Sequence, residues 1–308
     1  MIENLLMVTE KVLLLFLLMG VGFLAAKTRM ISHRTAEEIT DFVFMIVTPC
    51  VIISAFQADR GAISLWTLGK LFLFALAIHI IGIVISRFLY RRQPEDQKRV
   101  LQFGCIYSNS GFMGIPLVQA VLGDEGVIYA SAYLAVFNLL VWTHGVTLMG
   151  NDGERISWKK ALLTPGIIGL AIGLPLFLLS VKLPEPLGSA VDLIAGLNTP
   201  LAMVCVGVFI AGVNLKTAFR GIHLYSASFV RLIFFPALAF LLLWAFGADR
   251  MSFLACILQA SAPCATVTAL VAVKYHRDGE MASKLVAVCT LLSIVTLPMF
   301  AALAELVV

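Results

Sequence analysis

Apolar residues in this chain come in long runs separated by short polar stretches. Clear examples are 65–88, 126–149 and 284–308, each with only a few polar interruptions. One helix needs about 20 apolar residues to cross the hydrocarbon core of a bilayer, and these runs reach that length. The pattern predicts ten membrane-spanning helices, near residues 5–26, 39–57, 65–88, 98–120, 126–149, 164–181, 189–213, 222–246, 251–273 and 282–305.

The composition supports an all-α membrane protein. Of the 308 residues, 60% are hydrophobic and 13% are charged, whereas a soluble domain has about 25% charged residues. A soluble protein of this size could not bury so much apolar surface in one core, which excludes the ordinary globular and disordered classes. The six cysteines lie in apolar segments without a CxxC spacing, so we interpret them as buried hydrophobic residues rather than metal ligands or disulfides.

The basic residues predict the orientation of the chain. Of the 22 Lys and Arg residues, sixteen lie in one alternating set of connections and four in the other, while Lys70 and Arg231 lie within predicted spans. The positive-inside rule places the basic set in the cytoplasm and both termini outside it. We therefore interpret the net charge of +4 as a topology signal and expect no nucleic-acid partner. The expected location is the cell inner membrane.

A weak internal repeat divides the chain. A shift of 151 residues superposes the first five predicted spans on the last five, which predicts repeats at 1–150 and 164–308 joined by a short cytoplasmic linker at 151–163. Because each repeat has an odd number of spans, the second must be inverted relative to the first, an arrangement typical of alternating-access carriers. The matches cluster at Asp41, Thr48 and Pro49 with Asp192, Thr199 and Pro200, and at Cys105, Ile106 and Ser110 with Cys256, Ile257 and Ser261.

Spans four and nine each contain residues that break a helix near its middle. Span four includes Gly111, Gly114 and Pro116 within six residues, and span nine includes Pro263. An interior Gly costs about 1 kcal/mol and an interior Pro about 3 kcal/mol in a helix. Broken helices within a membrane are tolerated where they line a cavity, and the starts of half-helices suit anions. The alternative interpretation is two kinked helices packed through small residues.

The run Asn109–Pro116, followed by Leu117 and Val118, resembles the fourth-span signature of the auxin efflux carrier family. That family includes plant auxin exporters and bacterial permeases associated with malate or malonate. The resemblance implies two inverted five-helix repeats whose broken fourth and ninth helices cross, a sodium/proton-antiporter-like architecture with the substrate beside the crossing. The short linker, unlike the long loop of the plant members, favours the bacterial type. Further matches are Pro200, Gly207, Arg231, Pro236, Pro263, Lys274, Tyr275, Thr290, Ser293 and Pro298.

Several polar, small and charged residues within the predicted spans are candidates for the substrate site. Arg231, a permanent charge within span eight, could balance an organic anion or hold carbonyl groups freed at the crossing; the alternative is that it reaches the cytoplasmic surface. The predicted substrate-binding residues are Asn109, Ser110, Gly111, Gly114, Pro116, Gln259, Ser261, Pro263, Thr266 and Arg231, with second contacts at Thr48, Pro49, Asn198, Thr199 and Pro200.

The predicted function is transport rather than catalysis. No HExxH, P-loop or GxSxG motif occurs, and the GxGxxA pattern at Gly20–Ala25 lies within an apolar helix and follows no strand. We expect a secondary-active or facilitative carrier of a small organic anion, either a dicarboxylate or an auxin-like carboxylate, with no cofactor and no bound metal. The alternatives are a bile-acid/sodium-symporter-like carrier and a non-transporting membrane sensor. Proton or sodium coupling and homodimer formation stay open.

Overall fold

The computed structural model describes residues 2–57, 63–150, 162–219 and 221–307. Those residues form eleven helices and a further short turn of helix at Leu215–Ala218. The helices are α1 Ile2–Lys27, α2 His33–Gln57, α3 Leu65–Ser86, α4 Glu95–Ile106, α5 Ser110–Met149, α6 Pro165–Leu178, α7 Leu187–Gly212, α8 Ile222–Ala245, α9 Arg250–Ser261, α10 Val267–Lys274 and α11 Gly279–Glu305.

Seven of these helices are long and apolar enough to cross a membrane, namely α1 (from Val8), α2, α3, α5, α7, α8 and α11. This confirms an all-helical protein with several membrane-spanning helices. Three of the ten predicted spans are not among these seven helices. One of them is the 14-residue α6. The structure divides each of the other two, span four into α4 and the start of α5, and span nine into α9 and α10. A break in the middle of a span leaves two helices too short to cross alone. The ten-span inverted repeat therefore stays a prediction.

Several predicted boundaries differ from the observed helices. The second helix starts at His33 rather than near 39, because Ser32 caps it by accepting a hydrogen bond from the Thr35 N–H at 3.0 Å. The sixth ends at Leu178 rather than 181, and the chain turns at Ser180 with a φ of 56°. The predicted linker falls mostly outside the described residues, as do its basic residues Arg155, Lys159 and Lys160.

Two glycines allow α1 and α7 to approach until their backbones touch. A Cβ added to Gly22 would collide with the Val204 backbone, and one added to Gly207 would collide with the Met19 backbone. Small residues at helix contacts are the usual way to pack helices within a bilayer, because lipid provides little hydrophobic drive for association. The two helices therefore form a closely packed pair at the edge of the protein.

The core of the protein surrounds α5. Within its most apolar stretch 83% of the residues are buried, against 28% for α1. Helices α3 and α9 pack on α5, and α9 also packs on α11. The largest fully buried side chains include Phe103, Tyr107, Tyr133 and Phe253, which come from α5, α9 and the end of α4. The divided segments consequently lie at the centre of the molecule, while α1 is largely exposed at its periphery.

Candidate functional site

The two predicted helix breaks meet and pair with each other. Helix α4 ends at Ile106 and α9 ends at Ser261, and the residues that follow run antiparallel. The Asn109 N–H donates to the Pro263 carbonyl at 2.7 Å, and the Ala265 N–H donates to the Tyr107 carbonyl at 3.0 Å. These bonds satisfy backbone groups that lost their helical partners, as a membrane interior requires. We call these paired segments, Tyr107–Asn109 and Pro263–Ala265, the crossing.

The guanidinium of Arg231 holds the carbonyl ends of both half-helices. Its Nη1 donates to Cys105 O at 3.2 Å and Ile106 O at 3.1 Å, and its Nη2 donates to Ala260 O. The carboxyl end of a helix carries a partial negative charge, and here two such ends face one cation. Arg231 is only 3% exposed, so it does not reach the surface; the structure favours the carbonyl-holding role among the predicted alternatives.

Two amide side chains beside the crossing are fully buried yet incompletely paired. Asn109 is 2% exposed and Gln259 is 0% exposed. Within the described residues, Asn109 Nδ2 and both Nε2 and Oε1 of Gln259 have no hydrogen-bond partner. A buried polar group without a partner costs about 1–3 kcal/mol, and a bound water or ligand can supply the missing partner.

Gly114 makes room for one of these amides. A Cβ added at this position would collide with Gln259 Oε1 and lie 2.9 Å from Gln259 Cδ. Gly114 ends one of four π-helical turns among the described residues, Ser110–Gly114; such turns are frequent at functional sites. The structure thus brings together Asn109 from the first break, Gln259 from α9, and the glycine between them.

Other predicted site residues lie at or next to the crossing, and the two serines among them already have hydrogen-bond partners. Ser110 Oγ shares a hydrogen bond of 2.8 Å with Ser108 Oγ, and Ser261 Oγ donates to Ile257 O within its own helix at 2.6 Å. Pro263 contributes its carbonyl to the crossing. Gly111, Pro116 and Thr266 are placed in or next to the half-helices that start there: Gly111 in the π-helical turn, Pro116 at the start of the following α-helix, and Thr266 directly before α10.

The predicted second contacts on α2 and α7 differ in their burial and in their hydrogen bonding. Thr48 Oγ1 donates to Val43 O within its own helix at 3.0 Å, and Pro49 lies against α6, where a Cβ on Gly169 would be 2.9 Å from the Pro49 Cα. On α7, Pro200 is exposed and Thr199 half-buried. Asn198 is buried, and its Nδ2 has no partner among the described residues. Of these five residues, Asn198 is therefore the best candidate for a polar contact with the substrate.

The sequence did not predict a small cavity behind the crossing. Arg231 Nε and His79 Nε2 have no partner within the described part of the chain, and both residues line a cavity of about 10 Å³ together with Tyr133 and Ala260. His79 Nδ1 faces the Ala75 carbonyl at 2.7 Å and therefore donates to it, which leaves Nε2 as an acceptor. A lone histidine within an apolar span gave no signal that it would lie beside Arg231.

The charges at the crossing divide into two groups. Arg231 faces the negative carboxyl ends of α4 and α9, whereas α5 and α10 begin immediately beyond the crossing with their positive amino ends towards it. No Asp or Glu is buried anywhere in the described ranges. The arrangement combines helix amino ends with uncharged amide donors, a set of groups that can bind an anion without a further charged side chain.

Comparison with known proteins decides the family. A family described as membrane transport proteins matches residues 7–301. The chain belongs to this family. The resemblance to auxin efflux carriers is thereby confirmed, and the protein is a multi-pass membrane transporter.

Two archaeal transporters resemble this one along almost their whole length. An uncharacterized transporter of Methanothermobacter thermautotrophicus is 26% identical over 302 residues, covering 95% of this chain and 97% of its own. The uncharacterized transporter MJ1031 of Methanocaldococcus jannaschii is 21% identical over 302 residues, covering 94% and 97%. The family and these relatives support transport, and the membrane transporter's substrate has to be argued from its own residues.

Proposed function

We propose that this transporter is a secondary-active or facilitative carrier of a small organic anion that binds beside the crossing. The observation that carries the proposal is the set of buried, unpartnered amide groups on Asn109 and Gln259. A carboxylate accepts hydrogen bonds from amide N–H groups, and the amino ends of α5 and α10 add a favourable potential. A dicarboxylate and an auxin-like carboxylate both offer this group.

Alternating access about the crossing would move the site between the two sides of the membrane. This mechanism rests on the proposed ten-span inverted repeat, in which the divided segments count as spans four and nine. Inverted repeats and discontinuous helices accompany each other in carriers of this kind. Arg231 would keep the two half-helix carboxyl ends together during the motion, because its three hydrogen bonds join α8 to both.

The first test is to identify the ligand and its contact with Asn109. We expect one member of a panel of mono- and dicarboxylates and indole acids to raise the melting temperature of the purified protein, since a ligand that binds only the folded state stabilises it. Asn109→Ala should weaken that ligand about ten- to a hundredfold, because the lost hydrogen bond is worth about 1–3 kcal/mol.

Asn138→Ala provides the matched control. Asn138 is 1% exposed and, like Asn109, has an Nδ2 without a partner among the described residues, but it lies against Gly166 at the start of α6. Its substitution should leave ligand affinity unchanged. Equal weakening by the two variants would contradict a site at the crossing. Repeating the titration with sodium separates this carrier from a sodium symporter, in which sodium would tighten binding.

The proposed orientation places both termini outside the cytoplasm of a cell with an inner membrane. Single cysteines at Asp124 and Arg92, both exposed, should then react with a membrane-impermeant maleimide from opposite sides, in a background where the native cysteines are replaced. Asp124 follows the bend at Gly123, and Arg92 lies between α3 and α4. Labelling of both from the same side would contradict the ten-span topology.

A further inference from the structure

A basic groove lies at one end of α1, apart from the crossing. It has a volume of about 480 Å³ and is bounded by the end of α1, the turn into α2 and the end of α7. This volume is within the range of about 300–1,000 Å³ that is typical of small-molecule sites. Its walls include Lys27, Arg29 and His33 on one side, and Val208, Ala211 and Gly212 on the other.

Of the three basic side chains in this groove, only His33 lies beside a carboxylate among the described residues. Glu37 lies 3.4 Å from His33 Nδ1, and Glu38 lies 3.2 Å from Arg34 Nε, so both acids pair along α2. Within the part of the chain that the structure describes, Lys27 Nζ donates one hydrogen bond, to Ala211 O at 3.0 Å. An ammonium group has three donors, which leaves Lys27 with donors for a ligand.

Arg29 contributes a second cation with all of its donors available. Its side chain forms no hydrogen bond or ion pair with any residue in the described ranges. A guanidinium presents five N–H donors in a fork that matches phosphate oxygens. Lys27 and Arg29 together therefore offer the donors and the charge that a phosphate group requires.

The surface that leads to the groove is apolar and faces outward. Leu17, Val21 and Leu24 of α1 are 64%, 57% and 63% exposed, and their spacing of four and three residues places them on one face of the helix. Hydrocarbon chains could follow this face, with the attached headgroup in the groove. A free inorganic anion has no apolar part that could contact this face.

We propose that this groove binds the phosphate headgroup of an anionic phospholipid, whose acyl chains lie along the exposed face of α1. Basic pockets between membrane helices are suited to such headgroups, and each Lys or Arg near an anionic surface contributes a favourable interaction. Binding there would connect α1 to α7 and α2, since all three helices contribute walls. The site is independent of the proposed transport substrate.

Lipid binding to the purified full-length protein tests the proposal. After removal of bound lipid in a neutral detergent, phosphatidylglycerol should raise the melting temperature in a saturable way, and phosphatidylcholine should not. Arg29→Gln should weaken the apparent affinity for phosphatidylglycerol about fivefold, which corresponds to about 1 kcal/mol. Adding Lys27→Gln should weaken it further, to about 25-fold in total.

Arg92→Gln is the matched control, because it removes an exposed cation from the connection between α3 and α4. It should bind phosphatidylglycerol like the wild type. The proposal is overturned if Arg29→Gln binds the lipid as tightly as the wild type, or if Arg92→Gln weakens binding equally, which would indicate attraction by overall charge. Equal stabilisation by inorganic phosphate would instead identify a site for a soluble anion and overturn the lipid assignment. Because Lys27 also bonds α7, Arg29→Gln alone is decisive.

Discussion

Arg231→Ala is expected to reduce transport to below 1% of the wild-type rate while the protein still reaches the membrane. The substitution leaves Cys105 O, Ile106 O and Ala260 O without their donor. Each buried acceptor that loses its partner costs about 1–3 kcal/mol, so the free energy of unfolding should fall by about 3 kcal/mol or more. The two half-helix carboxyl ends would also face each other without a cation between them.

Arg231→Lys should recover only part of both losses. An ammonium keeps the charge but lacks the planar fork that reaches several carbonyls at once. Lys70→Ala is the matched control, because Lys70 is the other cation within a predicted span but is exposed on α3; its removal should leave transport and melting temperature nearly unchanged. The measurements are uptake into proteoliposomes and thermal unfolding. Wild-type uptake by Arg231→Ala would show that the guanidinium is not needed at the crossing.

The location of the helix breaks was predictable because their cause is local. Pro263 lies within the second break, whereas the first break, Tyr107–Asn109, comes directly before Gly111, Gly114 and Pro116, which lie in the first two turns of α5. Glycine and proline disfavour a continuous helix, so they indicate a break close by and not always at their own positions. The contact between the two breaks followed only from the family resemblance, since nothing in either segment alone specifies its partner. Their pairing through Asn109 N and Pro263 O joins residues far apart in the sequence.

The partners of Arg231 could not be predicted from its neighbours in sequence. Its Nη1 binds Cys105 O across 126 positions of the chain, a contact fixed by how α8 packs on α4 and α9. His79 illustrates the same limit, because its own helix determines only the bond to Ala75 O. Whether its other ring nitrogen meets lipid, protein or a cavity depends on α5 and α8, which supply Tyr133 and Arg231.

Helix ends were predicted less well than helix positions. Capping groups such as Ser32, which accepts from the Thr35 N–H, extend a helix beyond its apolar run, so hydropathy alone placed the start of α2 too late. The second contacts show a related limit, because Pro49 was predicted to contact the substrate but lies against α6. Proline and threonine in a span indicate a helix that is easily kinked, but they do not indicate which neighbouring helix or cavity the kink faces.

The second large effect is expected from filling the space beside the crossing. In Gly114→Leu the new side chain must displace Gln259, whose Oε1 would collide with a Cβ at residue 114. An overpacked site costs about 1–3 kcal/mol and shifts the backbone, and Gln259 would lose its proposed contact with the ligand. We expect ligand affinity to fall at least a hundredfold, with a smaller loss in Gly114→Ala. Ala262→Leu, at a fully buried position in the second break, should act similarly if the two halves are repeats.

The most direct test of a binding site at the crossing is therefore ligand affinity in Gly114→Ala, Gly114→Leu, Ala262→Leu and Gly69→Leu. Gly69 of α3 has no atom within 4 Å of an added Cβ, so its substitution controls for placing a leucine at a helical glycine. Titration by thermal shift or calorimetry is made on variants that remain monodisperse in detergent, and the milder Gly114→Ala serves if the leucine variants do not fold. We expect a graded loss of affinity in the crossing variants and wild-type affinity in Gly69→Leu. Wild-type affinity in the folded crossing variants would place the substrate site elsewhere in the transporter.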